Sequence, residues 1–225
     1  MSSRTKYTDE YSKIVVPELF FEEAERFAEA MLYNKCAIKE IQTKLEILND
    51  ELSLKTKRNP IESISSRLKQ PKSIIGKLRR NNWPITVDSL EEHLNDVAGV
   101  RVICSFIEDI YSVADMFVKQ DDINVLIRKD YIKNPKDNGY RSLHLIVEVP
   151  IFLSEKVLKR RVEVQIRTIA MDFWASLEHQ VKYKKGIPDA DRIVQELADC
   201  ASVIAETDKK MQDIYHKIVT MEGRI

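Results

Sequence analysis

Residues 161–167 read Arg161-Val162-Glu163-Val164-Gln165-Ile166-Arg167, and this stretch decides the fold. Apolar and polar residues alternate strictly along it. Successive side chains of a strand point to opposite faces. Val162, Val164 and Ile166 therefore line one face, and Arg161, Glu163, Gln165 and Arg167 line the other. The first face seeks a core, while the second presents an acid, an amide and two guanidinium groups in a row. Most half-exposed strands simply hydrate such a face. Here the stretch runs straight into a helical pattern after Thr168, carried by Phe173, Trp174, Leu177 and Val181. Ligands of open α/β sheets gather beyond strand ends at such transitions, which gives the polar face weight as a site.

Outward from this strand, Gly99–Ser105, Ile123–Ile127 and Leu143–Val149 are rich in β-branched residues and are expected to be strands. A helix is expected between the first two, over Asp109–Val118. Lys133–Tyr140 (KNPKDNGY) carries Pro and Asn-Gly punctuation and is expected to be a loop. Toward the N-terminus, Pro17 to about Leu54 has a helical pattern, with Leu19, Phe20, Ala24, Phe27, Ala28 and Met31 at helical spacing. A polar break, Lys55–Pro60, ends it. A shorter helix follows Pro71 through Ile74, Ile75 and Leu78, and Asp88 is expected to cap another that carries Leu90 and Leu94. A last long helix begins after Pro188. Its apolar positions Ile193, Leu197, Cys200, Ile204, Met211, Ile214, Ile218 and Met221 follow a 4-3 spacing that only Thr207 interrupts. The expected fold class is α/β of the mixed α+β kind: one sheet flanked by helices, with long helices at the N- and C-terminal ends.

The chain has 225 residues, enough for one domain with helical extensions. Lys+Arg and Asp+Glu both number 36, so the net charge is zero. A general polyanion-coating protein is thereby disfavoured, while a local basic patch stays open. Only 5 Gly and 7 Pro exclude collagen-like and linker-like chains. Cys36, Cys104 and Cys200 are scattered, which fits reduced thiols better than a disulfide framework or a zinc site. The polar N-terminus shows no signal peptide, and the stretch Leu143–Leu153 is too short to span a bilayer, so a cytoplasmic protein without membrane contact is expected.

Three further features bear on chemistry. Arg67, Lys69, Lys72, Lys77, Arg79 and Arg80 form a run with no acid before Asn82. A solvated helix face would explain it, but so would a phosphate site, in which guanidinium forks and ammonium points pair with oxygens. The loop 133–141 sets Lys133, Lys136, an Asn-Gly turn and Tyr140 ahead of His144, a combination suited to stacking a base and holding its phosphates. Asp96 opens Asp96-Val-Ala-Gly-Val-Arg101 at a strand entry. Such an Asp is most often a turn residue. Beside Glu163 it could hold Mg²⁺, which takes one or two carboxylates plus substrate phosphates.

These segments, taken in order, resemble one family. Asp96-Val-Ala-Gly-Val-Arg-Val102, Lys129-Asp-Tyr-Ile132, Pro135-Lys136, Asn138-Gly-Tyr-Arg-Ser-Leu-His144, Val162-Glu-Val-Gln-Ile-Arg-Thr168 and Ala170-Met-Asp-Phe-Trp-Ala-Ser-Leu-Glu-His179 are similar to the synthetase domain of RelA/SpoT proteins. Arg67-Leu-Lys-Gln-Pro-Lys-Ser-Ile-Ile-Gly-Lys77 resembles that family's basic segment on the ATP side. The likeness runs from Ile61 to Lys185. The chain carries no His-Asp dipeptide, the mark of the family's hydrolase domain. It therefore resembles a small alarmone synthetase, closer to the RelP type through Pro150-Ile-Phe-Leu-Ser154 and Ile169–His179. The division implied is an N-terminal helical extension at 1–60, a synthetase domain at 61–185 and a packing or oligomerisation helix at 186–225.

The resemblance implies a nucleotidyltransferase-like mixed sheet and transfer of pyrophosphate from ATP to the 3′-hydroxyl of GTP or GDP, with Mg²⁺ as cofactor, in the bacterial stringent response. Asp96 and Glu163 are the implied catalytic and metal-binding residues, Glu163 at the 3′-hydroxyl. Arg67 and Arg101 would flank adenine, and Lys69, Ser73, Lys77, Arg80 and His144 would approach the ATP phosphates. Tyr140 would stack on guanine, with Asn138 near the base edge and Lys129 and Lys136 near the guanosine phosphates. Gln165 receives a supporting role. At Lys129 some relatives carry Arg. A homotetramer is implied, and no stable nucleic-acid partner is expected. Two rivals remain at this stage: the same transfer onto tRNA 3′ ends, for which Lys182, Lys184 and Lys185 would be the only extra basic patch, and a non-catalytic nucleotide-binding regulator.

Overall fold

In a computed structural model, residues 18–55, 58–182 and 190–221 are described. Pro17, Pro188, Lys184 and Lys185 lie outside them. Five strands form one mixed sheet: β1 (Ile61–Leu68), β2 (Ala98–Cys104), β3 (Asn124–Asp130), β4 (Leu143–Phe152) and β5 (Val157–Thr168). Their order is β1-β2-β5-β4-β3. Only the β2–β5 pair is parallel; β1–β2, β5–β4 and β4–β3 are antiparallel. Among the described residues six helices accompany the sheet: α1 (Glu18–Lys55), α2 (Pro71–Arg80), α3 (Val87–His93), α4 (Ile107–Val118), α5 (Ile169–Lys182) and α6 (Ala190–Met221).

The alternation of β5 does what it predicts. Val162, Val164 and Ile166 are fully buried and join Val100, Val102, Leu143, Leu145 and Val147 beneath α1 and α4. Fully burying a Leu, Ile or Val side chain contributes about 1.5–3 kcal/mol, so this face anchors the sheet. The apolar stripe of α1 lies further along than the sequence spacing suggests. Ala24 and Ala28 are exposed, whereas Ala37, Ile38, Ile41, Leu45 and Leu48 fill the core. Phe27 and Met31 pack on a second cluster, Ile74, Leu78, Leu90, Leu94 and Val97, which fixes α2 beside the entry to β2.

Two local expectations are corrected. The cap of α3 is Thr86, whose hydroxyl accepts from the Ser89 N–H at 3.2 Å. Asp88 sits in the first turn and pairs with Arg26 of α1. The second concerns α6. The stripe turned toward the body is Ala201, Asp208, Gln212 and Tyr215, because these residues find specific partners. Asp208 accepts from Thr168 Oγ1 at 2.6 Å, Gln212 accepts from the Glu108 N–H at 3.1 Å, and Tyr215 stacks on Phe106. Of the residues on the 4-3 spacing, Ile193, Leu197 and Ile204 are half-buried, whereas Cys200, Met211, Ile214, Ile218 and Met221 stay exposed.

The helix also meets the loop that precedes β4. Arg141 donates to the Ala201 carbonyl at 3.2 Å, and a Cβ at Gly139 would stand 2.4 Å from Ala201 Cβ. Gly139 has φ +84°, a conformation costly for any other residue. Gly139→Ala should therefore lower stability by about 1–3 kcal/mol, as overpacking does, read as a lower urea midpoint. An unchanged midpoint would contradict the close seating of α6 on this loop.

Candidate active site

The polar face of the sheet is a row of functional side chains, and the register shows why. Across the strands, Ser65 pairs with Arg101, Arg101 with Gln165, Gln165 with His144, and His144 with Lys129. In the next row Arg67 pairs with Gly99 and Gly99 with Glu163. Paired residues of neighbouring strands share a face. The parallel β2–β5 pair thus brings the segment after Asp96 against Glu163, an adjacency that spacing along the chain does not reveal.

A cleft of about 460 Å³ opens on this face, lined among others by Arg67, Lys69, Asp96, Arg101, Glu163 and Gln165. On its α2 side, Lys69 and Lys77 donate to the two oxygens of Asp96 at 2.7 and 2.9 Å. Burial works to raise the Asp96 pKa, but these two ammonium groups outweigh it and hold the carboxyl below its ordinary value. Ser73, Lys77 and Arg80 follow the i, i+4, i+7 spacing of one helix stripe, opposite the buried Ile74 and Leu78. Ser73 is half-buried, and Arg80 is exposed at the end of α2. Arg67 and Arg101 stand on neighbouring strands of the cleft wall, and Arg101 pairs with Asp172 of α5 at 3.2 Å.

Glu163 accepts from Gln165 Nε2 at 2.8 Å and faces His144 Nδ1 at 3.4 Å. Burial tends to raise its pKa, but the His144 and Gln165 contacts prevail and lower it. The sign follows: a lowered pKa keeps Glu163 ionised at neutral pH, and protonation sets in only below the ordinary glutamate value. Carboxyl ¹³C titration of nucleotide-free protein should therefore place the Glu163 midpoint below that of an ordinary glutamate. A midpoint above that value would contradict the ionised site.

Asp96 and Glu163 are thus two ionised carboxylates on one cleft. Among the described residues no cluster of three or more His, Cys, Asp or Glu forms a preformed metal cage. A pair of carboxylates with open space beside it fits a hard divalent cation whose remaining ligands are phosphates and water.

The loop before β4 folds over the same face of the sheet, where Tyr140 meets Arg167 and His144. Tyr140 lies edge-on to His144 and Tyr131, with centroids 5.7 and 6.0 Å away. Lys136 sits between the rings of Tyr131 and Tyr140, 4.7 and 4.9 Å from their centroids. Lys129 is exposed on β3, opposite His144 in the ladder. Asn138 donates its amide to Glu178 of α5 at 3.1 Å, and its carbonyl accepts from the Tyr140 N–H, so in this structure it props the loop. His144 lies between Glu163 and Tyr140 Oη.

Two site residues had no role assigned from the sequence: Arg167 and Asp172. Arg167 is 4% exposed and donates to Tyr140 Oη, Gln165 Oε1 and Asp172 Oδ1 at 2.8, 2.7 and 3.1 Å. The alternation of β5 already set Arg167 on the polar face. What it could not show was the loop of Tyr140 folding back over that face.

Residues 66–188 match the family described as "Region found in RelA / SpoT proteins". The chain is 44% identical over 188 residues to the GTP pyrophosphokinase YwaC of Bacillus subtilis, covering 84% of this chain and 90% of that protein. With the GTP pyrophosphokinase YjbM of the same organism it shares 33% identity over 178 residues, covering 79% and 83%. Among solved structures, small alarmone synthetase 2 from B. subtilis superposes with a TM-score of 0.75 at 43% identity, covering 83% of this chain and 97% of that one. Small alarmone synthetase 1 from B. subtilis, bound to its product pppGpp, superposes with a TM-score of 0.78 at 31% identity, covering 88% and 98%.

Proposed function

The chain belongs to the RelA/SpoT family, and on that premise we propose that it is a (p)ppGpp synthetase, a GTP diphosphokinase that moves the β,γ-diphosphate of ATP onto the 3′-hydroxyl of GTP or GDP. The observation that carries the reading is the convergence of one cleft: two ionised carboxylates, a lysine pair on the Asp96 side, two arginines on the wall and an aromatic platform joined to Glu163 through His144. Both nucleotides have a place in it.

Arg67 and Arg101 take the adenine between their guanidinium planes, and Lys69, Lys77, Ser73, Arg80 and His144 serve the ATP phosphates. Tyr140 stacks on guanine, Asn138 holds the loop near the base edge, and Lys129 and Lys136 serve the guanosine phosphates. The 3′-oxygen attacks the β-phosphorus of ATP, its proton passes to Glu163, and the bond from that phosphorus to the α,β-bridging oxygen breaks to release AMP. Glu163 then returns the proton to solvent. Asp96 and Glu163 are the residues that would hold Mg²⁺, which when bound offsets the charge of the transferred diphosphate. Gln165 steadies Glu163.

The synthetase unit is assigned to 61–185, between the segment 1–60 that carries α1 and the segment 186–225 that carries α6. Among the described residues no helix is long and apolar enough to cross a membrane, in keeping with a cytoplasmic enzyme. The exposed Met211, Ile214, Ile218 and Met221 on α6 support a homotetramer in which this face is covered by another copy.

An acceptor panel tests the reading. With β,γ-labelled ATP, label should move to GDP and to GTP, and not to tRNA. Label on tRNA alone would replace the acceptor, and no transfer to any of the three would remove the enzymatic reading.

A further inference from the structure

We infer that the Tyr140 hydroxyl and Arg167 form a positioning device for Glu163, separate from the use of the Tyr140 ring as a base platform; the inference rests on the synthetase reading of this cleft. Five side chains close a ring of four hydrogen bonds and one close His144–Glu163 contact. Arg167 Nη2 donates to Tyr140 Oη at 2.8 Å and to Gln165 Oε1 at 2.7 Å. Tyr140 Oη lies 2.7 Å from His144 Nε2, His144 Nδ1 lies 3.4 Å from Glu163 Oε1, and Gln165 Nε2 donates to Glu163 Oε2 at 2.8 Å.

A guanidinium only donates and an ionised carboxylate only accepts, so Arg167 and Glu163 set the two ends of the ring, and the His144 ring lies between Tyr140 Oη and Glu163. Gln165 has a single amide orientation that serves both neighbours. Two arms thus connect a buried cation to a half-buried anion, one through Tyr140 and His144 and the other through Gln165. Glu163, Gln165 and Arg167 are alternate residues of β5, and Gln165 is the ladder partner of His144, so the backbone presents the members together.

The consequence is a division of labour within one residue. Guanine meets the Tyr140 ring, while the hydroxyl acts through His144 to hold one oxygen of Glu163 in place. Misplacing a reacting group by an ångström is enough to cost ~100-fold, and loss of one of two arms should cost less. Arg167 is a positioning residue for the same reason: it reaches Glu163 only through others.

Tyr140→Phe separates the two roles because it keeps the ring. We expect its KM for GDP to stay within about twofold of the parent while kcat falls about tenfold. In a Glu163→Gln background the same change should cost nothing further, since its effect passes through Glu163. Arg167→Lys should lower kcat in the same manner, with a melting curve to show that it folds. Nucleotide-free protein supplies a readout independent of activity: the ring ¹⁵N signals of His144 and the carboxyl ¹³C signal of Glu163 should move in Tyr140→Phe, which removes the hydroxyl partner of His144. An unchanged kcat in Tyr140→Phe, a rise in KM alone, full additivity with Glu163→Gln, or unmoved His144 and Glu163 signals would each overturn the inference. A parent enzyme that transfers nothing to GDP or GTP would instead sink the synthetase reading.

Discussion

Glu163→Gln should leave the chain folded and able to bind both nucleotides while turnover falls by about two to four orders of magnitude, the range lost with a positioned general base. The substitution keeps volume and shape, so the fully buried Val162 and Val164 on either side are undisturbed. What changes is chemistry. The neutral amide accepts no proton from the 3′-hydroxyl, and it removes one of the two negative charges available to a metal. It also sets a donor against Gln165 Nε2, so one hydrogen bond at the site is lost. Binding of GDP and of a non-transferable ATP analogue by calorimetry, beside kcat from AMP release, separates these effects. Near-normal turnover in this variant would remove Glu163 from the mechanism.

Tyr140→Ala should raise the guanine-side KM about 10- to 100-fold, because base–aromatic stacking contributes roughly 1–3 kcal/mol. The KM for ATP should change little, since adenine is assigned to Arg67 and Arg101 and not to the Tyr140 ring. The ring is held edge-on by His144 and Tyr131 and faced by Lys136, so it is fixed before any ligand arrives and the full stacking energy is available for binding. A steady-state matrix over both nucleotides measures this. An unchanged KM for GDP with a raised KM for ATP would mean that the two nucleotide sites are assigned the wrong way round.

How much of this was legible in the sequence depends on the kind of signal. The alternation at 161–167 fixes both faces of β5, and the β-branched runs mark β2 and β4, because burial on one or both faces imposes a period that survives in the residues; β3 carries a similar run although Val125, Leu126 and Ile127 are exposed. β1 left no such mark. Ile61–Leu68 (IESISSRL) carries three serines and pairs on one side only, so little of it needed to be apolar. The seating of α6 was obscured for a different reason. Its apolar 4-3 spacing is the stronger periodic signal, but specific hydrogen bonds from Asp208 and Gln212, and the fit of Ala201 to Gly139, decide which face turns inward.

The site divides in the same way. Residue types at Asp96, Glu163, Tyr140 and the basic run were visible, as was the face on which Arg167 stands. Their convergence was not, because it depends on the parallel pairing of β2 with β5 across an intervening helix and two strands. Arg167 and Asp172 acquire their roles only once the Tyr140 loop and α5 are set against that face.

The central claim is that one cleft joins ATP to a guanosine nucleotide. The direct measurement is a single incubation of the purified protein with Mg²⁺ and ATP, with GDP, with GTP, or with no acceptor, followed by ion-exchange chromatography of all nucleotides. The structure leads us to expect AMP formed in equal amount with ppGpp or pppGpp, and none without acceptor. ATP left intact beside both acceptors, or AMP released without any guanosine polyphosphate, would contradict it.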